Sequence, residues 1–264
     1  MSIITISKGS YYHGQDVARR LAKELGYDCV SREILLDASD QFSVPEIRLV
    51  GAIKDAPSIF DRLSLGKQKY INYIRAAFLK YMRKDNLVYH GFAGHFFLKE
   101  IPAVFKVRII ASMEYRVMIV MKRENVSSQE ALNIIKKIDS ARRKWSLHFY
   151  GMDTADPDLY DAVYRIDRMS VEDVVNNIMS TVQLPCFQIS SESKKIIEDL
   201  YLEAQVGASL AEQFPTTRYV SSKDGKVTVL VEATLRQKQK MSPRIEAIIG
   251  SIDGVKDFEI HFRH

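Results

Sequence analysis

The residues whose types and spacing suggest chemistry come first in the chain, at Gly9-Ser10-Tyr11-Tyr12-His13-Gly14-Gln15-Asp16. Two glycines five positions apart lie between a β-branched run, Ile3-Ile4-Thr5-Ile6, and a helical pattern. A loop in that place can turn its backbone N–H groups inward to hold phosphate oxygens, and the following helix adds a partial positive charge at its N-terminus. In the phosphate-loop pattern GxxxxGK[ST] the next two residues are a lysine for the β/γ-phosphates and a hydroxyl for Mg²⁺. Here they are Gln15 and Asp16. Gln15 donates a hydrogen bond without charge. Asp16 is a helix-capping residue and a hard metal ligand, but it also places a negative charge beside a polyphosphate. A plain strand-to-helix turn with two turn glycines is the competing reading of this segment. His13 would contact phosphate or be incidental to it, and Tyr11 and Tyr12 would stack on a base or fill the phosphate site.

The elements that position this loop follow from periodicity. Gln15–Leu25 has Val17, Leu21 and Leu25 on one face and ends at Gly26, so it reads as a helix with a glycine stop. Tyr27–Val30 reads as a second strand, and Arg32–Ser39 opens another helix. Residues 42–85 are helical and basic, broken at Pro45 and Pro57. Leu87-Val88-Tyr89 and Val104–Ala111 read as strands, Met113–Glu124 and Ser128–Arg143 as helices, Ala162–Ile166 as a last short strand and Ser170–Val182 as a closing helix. Hydroxyl-to-acid spacing at Ser127/Glu130 and at Ser170/Asp173 marks two helix starts. The alternation of strands and helices implies an α/β fold with a parallel sheet and helices on both faces. After Pro185 the pattern changes. Residues 190–213 read as helix, Val220–Ser222 and Val227–Ala233 as strands around the hairpin signal Lys223-Asp224-Gly225-Lys226, Ser242–Gly250 as helix and Phe258–Phe262 as a final strand. The tail is a small α+β unit of about 75 residues. The expected division is thus 1–184 and 188–264.

Several of these segments resemble the cytidylate kinase-like family. Ile3–Leu35 is similar to its opening strand, Gly-rich loop and helix, with Val17-Ala18, Leu21-Ala22, Leu25-Gly26 and then Ser31-Arg32-Glu33-Ile34. Val104–Arg116 is similar to a strand leading to a helix-starting Glu-x-Arg, Ile135–Arg143 to the family's lid, and Tyr160–Ile178 to its closing strand and helix. The resemblance spans roughly residues 1–182. It implies a P-loop nucleoside monophosphate kinase fold, ATP as phosphoryl donor, Mg²⁺, and a pyrimidine nucleotide such as CMP as acceptor. By that resemblance Arg142 and Arg143 are lid cations that close over the donor, Asp139 orients an arginine, Arg116 lies on the preceding helix with Arg123 two turns later, and Arg32 meets the acceptor. The competing reading of this set is a solvated basic helix face, since Lys136, Lys137 and Lys144 stand nearby. The tail faintly resembles a BON-type binding module through Lys223–Val229 and Gly250–Lys256.

The sequence departs from the family pattern at its chemical positions. Ser31 stands where an aspartate is usual, Phe92 where an arginine is expected after His90-Gly91, and Gln15 in place of the loop lysine. Asp16 would then take the Mg²⁺, and Lys8 would swing in for Gln15. His90 and His95 flank Gly91 and Gly94, but a third metal ligand at a suitable spacing is missing. An active kinase with a rearranged site, a kinase-fold nucleotide sensor that signals through its tail, and a scaffold with another ligand are the three readings.

Composition sets the outer bounds. The chain has 264 residues, 46% hydrophobic and 27% charged, enough for a buried core. A net charge of +5 suits a phosphate-binding cleft but is too small for a dedicated nucleic-acid binder. Cys29 and Cys186 have neither disulfide-scaffold nor zinc spacing, and no stretch reaches membrane-spanning length, so a cytoplasmic protein with no membrane partner is expected. The sequence leaves a homo-oligomer open and does not specify a partner for the tail.

Overall fold

A computed structural model of the chain describes residues 2–8, 13–54, 66–91, 94–99 and 101–263. Gly9, Ser10, Tyr11, Tyr12, Pro57 and Phe92, singled out above, lie outside the described residues. Internal contacts divide the chain into two units. The first takes its residues from Met1–Glu33, Ile53–Ser58 and Asp85–Ser190, the second from Ile34–Ala52, Ile59–Lys84 and Ser191–His264.

The first unit is built on five parallel strands: β1 (Ile3–Lys8), β2 (Asp28–Val30), β3 (Leu87–His90), β4 (Val104–Ile110) and β5 (Ala162–Arg165), in the order β2-β3-β1-β4-β5. Its helices are α1 (His13–Leu25), α5 (Gly94–Phe97), α6 (Met113–Glu124), α7 (Ser128–Tyr150) and α8 (Val171–Val182), and the sheet has helices on both sides. A parallel sheet covered on both faces favours strands that are largely apolar, and all four residues of β3 are buried. Alternation sorts the side chains of the central strands. Ile4, Ile6, Phe105, Val107 and Ile109 join Val17, Ala18 and Leu21 of α1 and Val174, Val175 and Ile178 of α8 in one core. The intervening Thr5, Ser7, Lys106 and Arg108 turn to the opposite face, where the packing is partly polar.

Local signals account for the helix limits. Ser112 caps α6 by accepting from Tyr115 N–H, and α6 stops at Asn125, which takes the left-handed conformation at φ 54°. The expected capping boxes at Ser127/Glu130 and Ser170/Asp173 are both formed. Two sequence expectations are corrected here. Helix α1 begins at His13, two residues before the expected Gln15, so His13 and Gly14 join Gln15 and Asp16 in its first turn. Helix α7 runs to Tyr150, past the expected end at Arg143, and Trp145 and Tyr150 anchor that extension. Trp145 is fully buried there, and Tyr150 stacks on Phe96 of α5 with ring centroids 4.6 Å apart.

The second unit contains α2 (Glu33–Gln41, from Ile34 onward), α3 (Glu46–Lys54, to Ala52), α4 (Gly66–Met82), α9 (Ser191–Ala211), β6 (Thr217–Lys223), β7 (Lys226–Glu232), α10 (Leu235–Gly250) and β8 (Asp257–Arg263). Strands β6 and β7 form the expected hairpin. Asp224 at φ 53° and Gly225 at φ 85° make the two-residue turn, and Asp199 of α9 accepts from both of their N–H groups. Strand β8 pairs parallel to β7 after the α10 crossover. The core joins Val206, Leu210 and Phe214 to Val227, Val229, Val231, Ile245 and Ile249. Helix α10 starts at Leu235, earlier than the expected Ser242, because Thr234 and Gln237 form a capping box.

This grouping differs from the division 1–184 and 188–264 read from the sequence. Helix α4 packs along α9, with Arg75 bonded to Glu203 and Arg83 to Glu198, each at 2.8 Å, so residues 34–52 and 66–84 belong with the tail. Among the described residues, no helix is long and apolar enough to cross a membrane.

Candidate functional site

The candidate site lies in the first unit, at the C-terminal ends of the parallel strands, where open α/β sheets hold their ligands. Strand β1 ends at Lys8, and α1 begins at His13. His13 Nε2 lies 3.0 Å from the Tyr115 hydroxyl of α6, and His13 Nδ1 lies 3.6 Å from Asp16 Oδ2. The first turn of α1 is thereby tied to α6. Beside this tie, His13, Tyr115 and Arg116 share a cavity of about 20 Å³ with Ile109, Val120 and Ile135, room for roughly one water.

Asp139, expected to orient an arginine, is paired with Arg116. Arg116 Nη2 donates to Asp139 Oδ1 and Oδ2, each at 2.8 Å, joining α6 to α7. The Arg116 side chain is only 12% exposed, so its guanidinium is held in place. Arg143 is directed elsewhere: its Nε donates to Asp153 at 2.8 Å from a largely exposed position. Arg142 is half-buried on the same helix, and Arg32 is exposed in the turn before α2. The structure thus brings His13, Asp16 and Arg116 to one locality with Asp139 behind Arg116. Arg143 is paired with Asp153 instead.

Gln15 has a partner one helical turn on. With its amide oxygen toward the guanidinium, Gln15 accepts from Arg19 Nη2 at 2.7 Å and from Nε at 3.3 Å. Arg19 was not singled out in the sequence, although its spacing of four from Gln15 put it on the same helix face. Its charge also reaches the end of β2. Burial raises the Cys29 thiol above its usual range, and Arg19 partly offsets this. The Glu33 carboxyl is held below its usual range by its own backbone N–H first, with further help from Ser31 N–H, His90 and Arg19.

A second group that sequence reading missed centres on Tyr160. Its hydroxyl lies 3.0 Å from Arg108 Nη1, 3.3 Å from Ser7 Oγ and 3.3 Å from His95 Nε2, and it donates to the Thr154 carbonyl at 3.0 Å. Ser7 and Arg108 face each other in the β1–β4 register. Burial, with Arg108 and Lys106 adding repulsion, pushes His95 down to about 3, so it is neutral and cannot serve as a cation here. Lys106 is buried too, donating to the Ile101 and Val104 carbonyls, and burial lowers its pKa. The strand alternation of Lys106 and Arg108 against Phe105, Val107 and Ile109 was the available signal for this face. The His90/His95 metal pair gains no third ligand: among the described residues there is no group of three or more His, Cys, Asp or Glu placed to hold a metal.

Mg²⁺ in nucleotide sites is usually held by one or two carboxylates together with substrate phosphates and waters. Asp16, exposed in the first turn of α1 beside the loop, fits that requirement as a single carboxylate.

A five-stranded parallel sheet of order β2-β3-β1-β4-β5 with helices on both sides has the layout of a P-loop kinase-type fold. The sequence profile of the cytidylate kinase-like family matches residues 3–168, and the chain belongs to that family. A cytidylate kinase from Sulfurisphaera tokodaii is 31% identical over 92 residues, 34% of this chain and 50% of that protein, so the chain spans about half the length of this relative. Among solved structures, a protein from Eubacterium ventriosum is similar over 69% of this chain and 98% of its own, at 20% identity and a TM-score of 0.54. A shikimate kinase from Bacteroides thetaiotaomicron covers 69% of this chain and 99% of its own, at 10% identity and a TM-score of 0.44.

Proposed function

We propose that the chain transfers a phosphoryl group from ATP to a nucleoside monophosphate, with CMP as the acceptor that family membership favours. The observation that carries this reading is the tie between His13 and Tyr115, which sets Arg116 beside the first turn of α1. Phosphoryl transfer is chiefly positioning and charge stabilisation, so a held cation next to a helix N-terminus is what the chemistry needs. Gly9, Ser10, Tyr11 and Tyr12 would lead the donor phosphates to the N–H groups of Gly14, Gln15 and Asp16. Asp139 would keep Arg116 aimed. Arg142 and Arg143 would close from α7, and the exposed Arg143–Asp153 pair costs little to exchange. Arg32 would bind the acceptor. With Arg19 on its carbonyl, Gln15 directs its NH₂ group to a phosphate oxygen. Asp16 would hold Mg²⁺, which when bound supplies charge neutralisation between the phosphates.

Gln15 at the lysine position favours a second reading, a kinase-fold protein that binds nucleotide and passes that state on through a BON-like tail. Calorimetric titration with ATP and CMP, with and without Mg²⁺, followed by a coupled turnover assay, separates the two. Turnover supports the kinase, and binding without turnover supports the sensor.

A further inference from the structure

The second unit holds a cavity that phosphoryl transfer does not use. It measures about 370 Å³ and lies between α4, α9 and β6, within the usual range for small-molecule pockets. The space comes from α9, where Ala204, Gly207 and Ala211 line the floor. Glycine inside a helix costs about 1 kcal/mol relative to alanine. Packing does not require it at Gly207, because an added Cβ meets nothing closer than Val220 Cγ2 at 3.9 Å. Gly207 leaves this part of the floor without a side chain.

The walls are charged and aromatic. Lys69, Arg75 and Arg218 line the cavity against one carboxylate, Glu203, which is bonded to Arg75 at 2.8 Å. Lys69 and Arg218 reach out to Glu212 and Glu232, whose side chains are 70% and 42% exposed. Such surface pairs are worth little and are readily exchanged for a better anion. Gln68 and Asn72, bonded to each other at 3.1 Å, present amide donors and acceptors, and the Tyr219 ring is more than half exposed beside them.

We propose that this cavity binds a phosphomonoester carried on a planar, hydrogen-bonding ring, the chemistry of a nucleoside monophosphate. Lys69 and Arg218 take the phosphate, the Gln68 and Asn72 amides read the ring edge, and Tyr219 stacks on its face. The site is independent of whether the first unit transfers phosphate. Inorganic phosphate shares part of this chemistry, so it serves as the contrasting probe. The test is hydrogen–deuterium exchange of the full chain with CMP, AMP or inorganic phosphate, alongside calorimetry. The expected result is protection of residues 68–75 and 203–220 by a nucleotide but not by phosphate. Gly207→Leu, which fills the floor, should abolish that protection. The surface double variant Lys69→Ala/Arg218→Ala should weaken binding by about tenfold or more, the loss of charge-assisted hydrogen bonds. Arg116→Ala in the first unit should leave the protection in place. No protection with either nucleotide overturns the proposal, as does protection that survives both sets of variants. Equal protection by inorganic phosphate overturns the ring-binding part and leaves a simple anion site.

Discussion

His95 offers a prediction that can be worked through from the structure. Its imidazole is buried against Tyr160 and Phe96 and faces Arg108 and Lys106, and its pKa is lowered to about 3. In the unfolded chain it returns to roughly 6.5. Between these values the unfolded state binds the proton and the folded state does not, so stability falls as pH falls through that window and is fully present above it. Taking the pH from 7 to 5 should cost about 2 kcal/mol from this residue alone. Carboxylates with depressed values lose their contribution only at lower pH, so the window isolates histidine. Trp145 is the only tryptophan and is fully buried in the first unit, near Phe96 and Tyr150. Its emission therefore reports unfolding of that unit. The urea midpoint should drop by roughly 1 M between pH 7 and 5, and in His95→Gln most of that drop should disappear. An equal drop in wild type and variant would refute the reasoning.

Tyr160→Phe removes one hydroxyl from four polar neighbours and opens almost no cavity, so it should destabilise the first unit by about 1–3 kcal/mol in the same urea assay. Gly91→Ala would drive its Cβ into the Tyr89 hydroxyl and to 2.7 Å from Tyr89 Cζ. It should cost about 1–3 kcal/mol, and adding Tyr89→Phe should recover part of that loss. Arg116→Ala should lower kcat for phosphoryl transfer by about 10²–10³, with Arg116→Lys intermediate and Asp139→Asn reducing kcat less than Arg116→Ala. Unchanged kinetics in all three would remove Arg116 from the site.

Much of the fold was legible because the signals were local. The apolar run at β4, the two hydroxyl-acid capping boxes and the Asp224-Gly225 turn each specify a short segment through its own chemistry. The start of α1 at His13 was hidden because Gly14 and Gln15 carry no strong helix signal, and the last turns of α7 lay past the expected end at Arg143 because Trp145 and Tyr150 pack on Phe96, far off in sequence. The pairing of α4 with α9 depends on contacts such as Arg75–Glu203, between residues more than a hundred positions apart, which periodicity does not encode. In the candidate site, the pairing of Asp139 with Arg116 follows from how α6 crosses α7. The Tyr160 hub was missed because its members come from β1, α5, β4 and the segment before β5, and only the sheet register brings Ser7 beside Arg108.

The central claim is tested most directly by incubating the full chain with ATP and CMP, with and without Mg²⁺, and measuring CDP formation alongside calorimetric binding of each nucleotide. The account predicts Mg²⁺-dependent CDP formation that falls in Arg116→Ala. ATP binding without transfer to CMP or to any other nucleoside monophosphate would contradict it and leave a nucleotide sensor, and no binding of either nucleotide would contradict both readings.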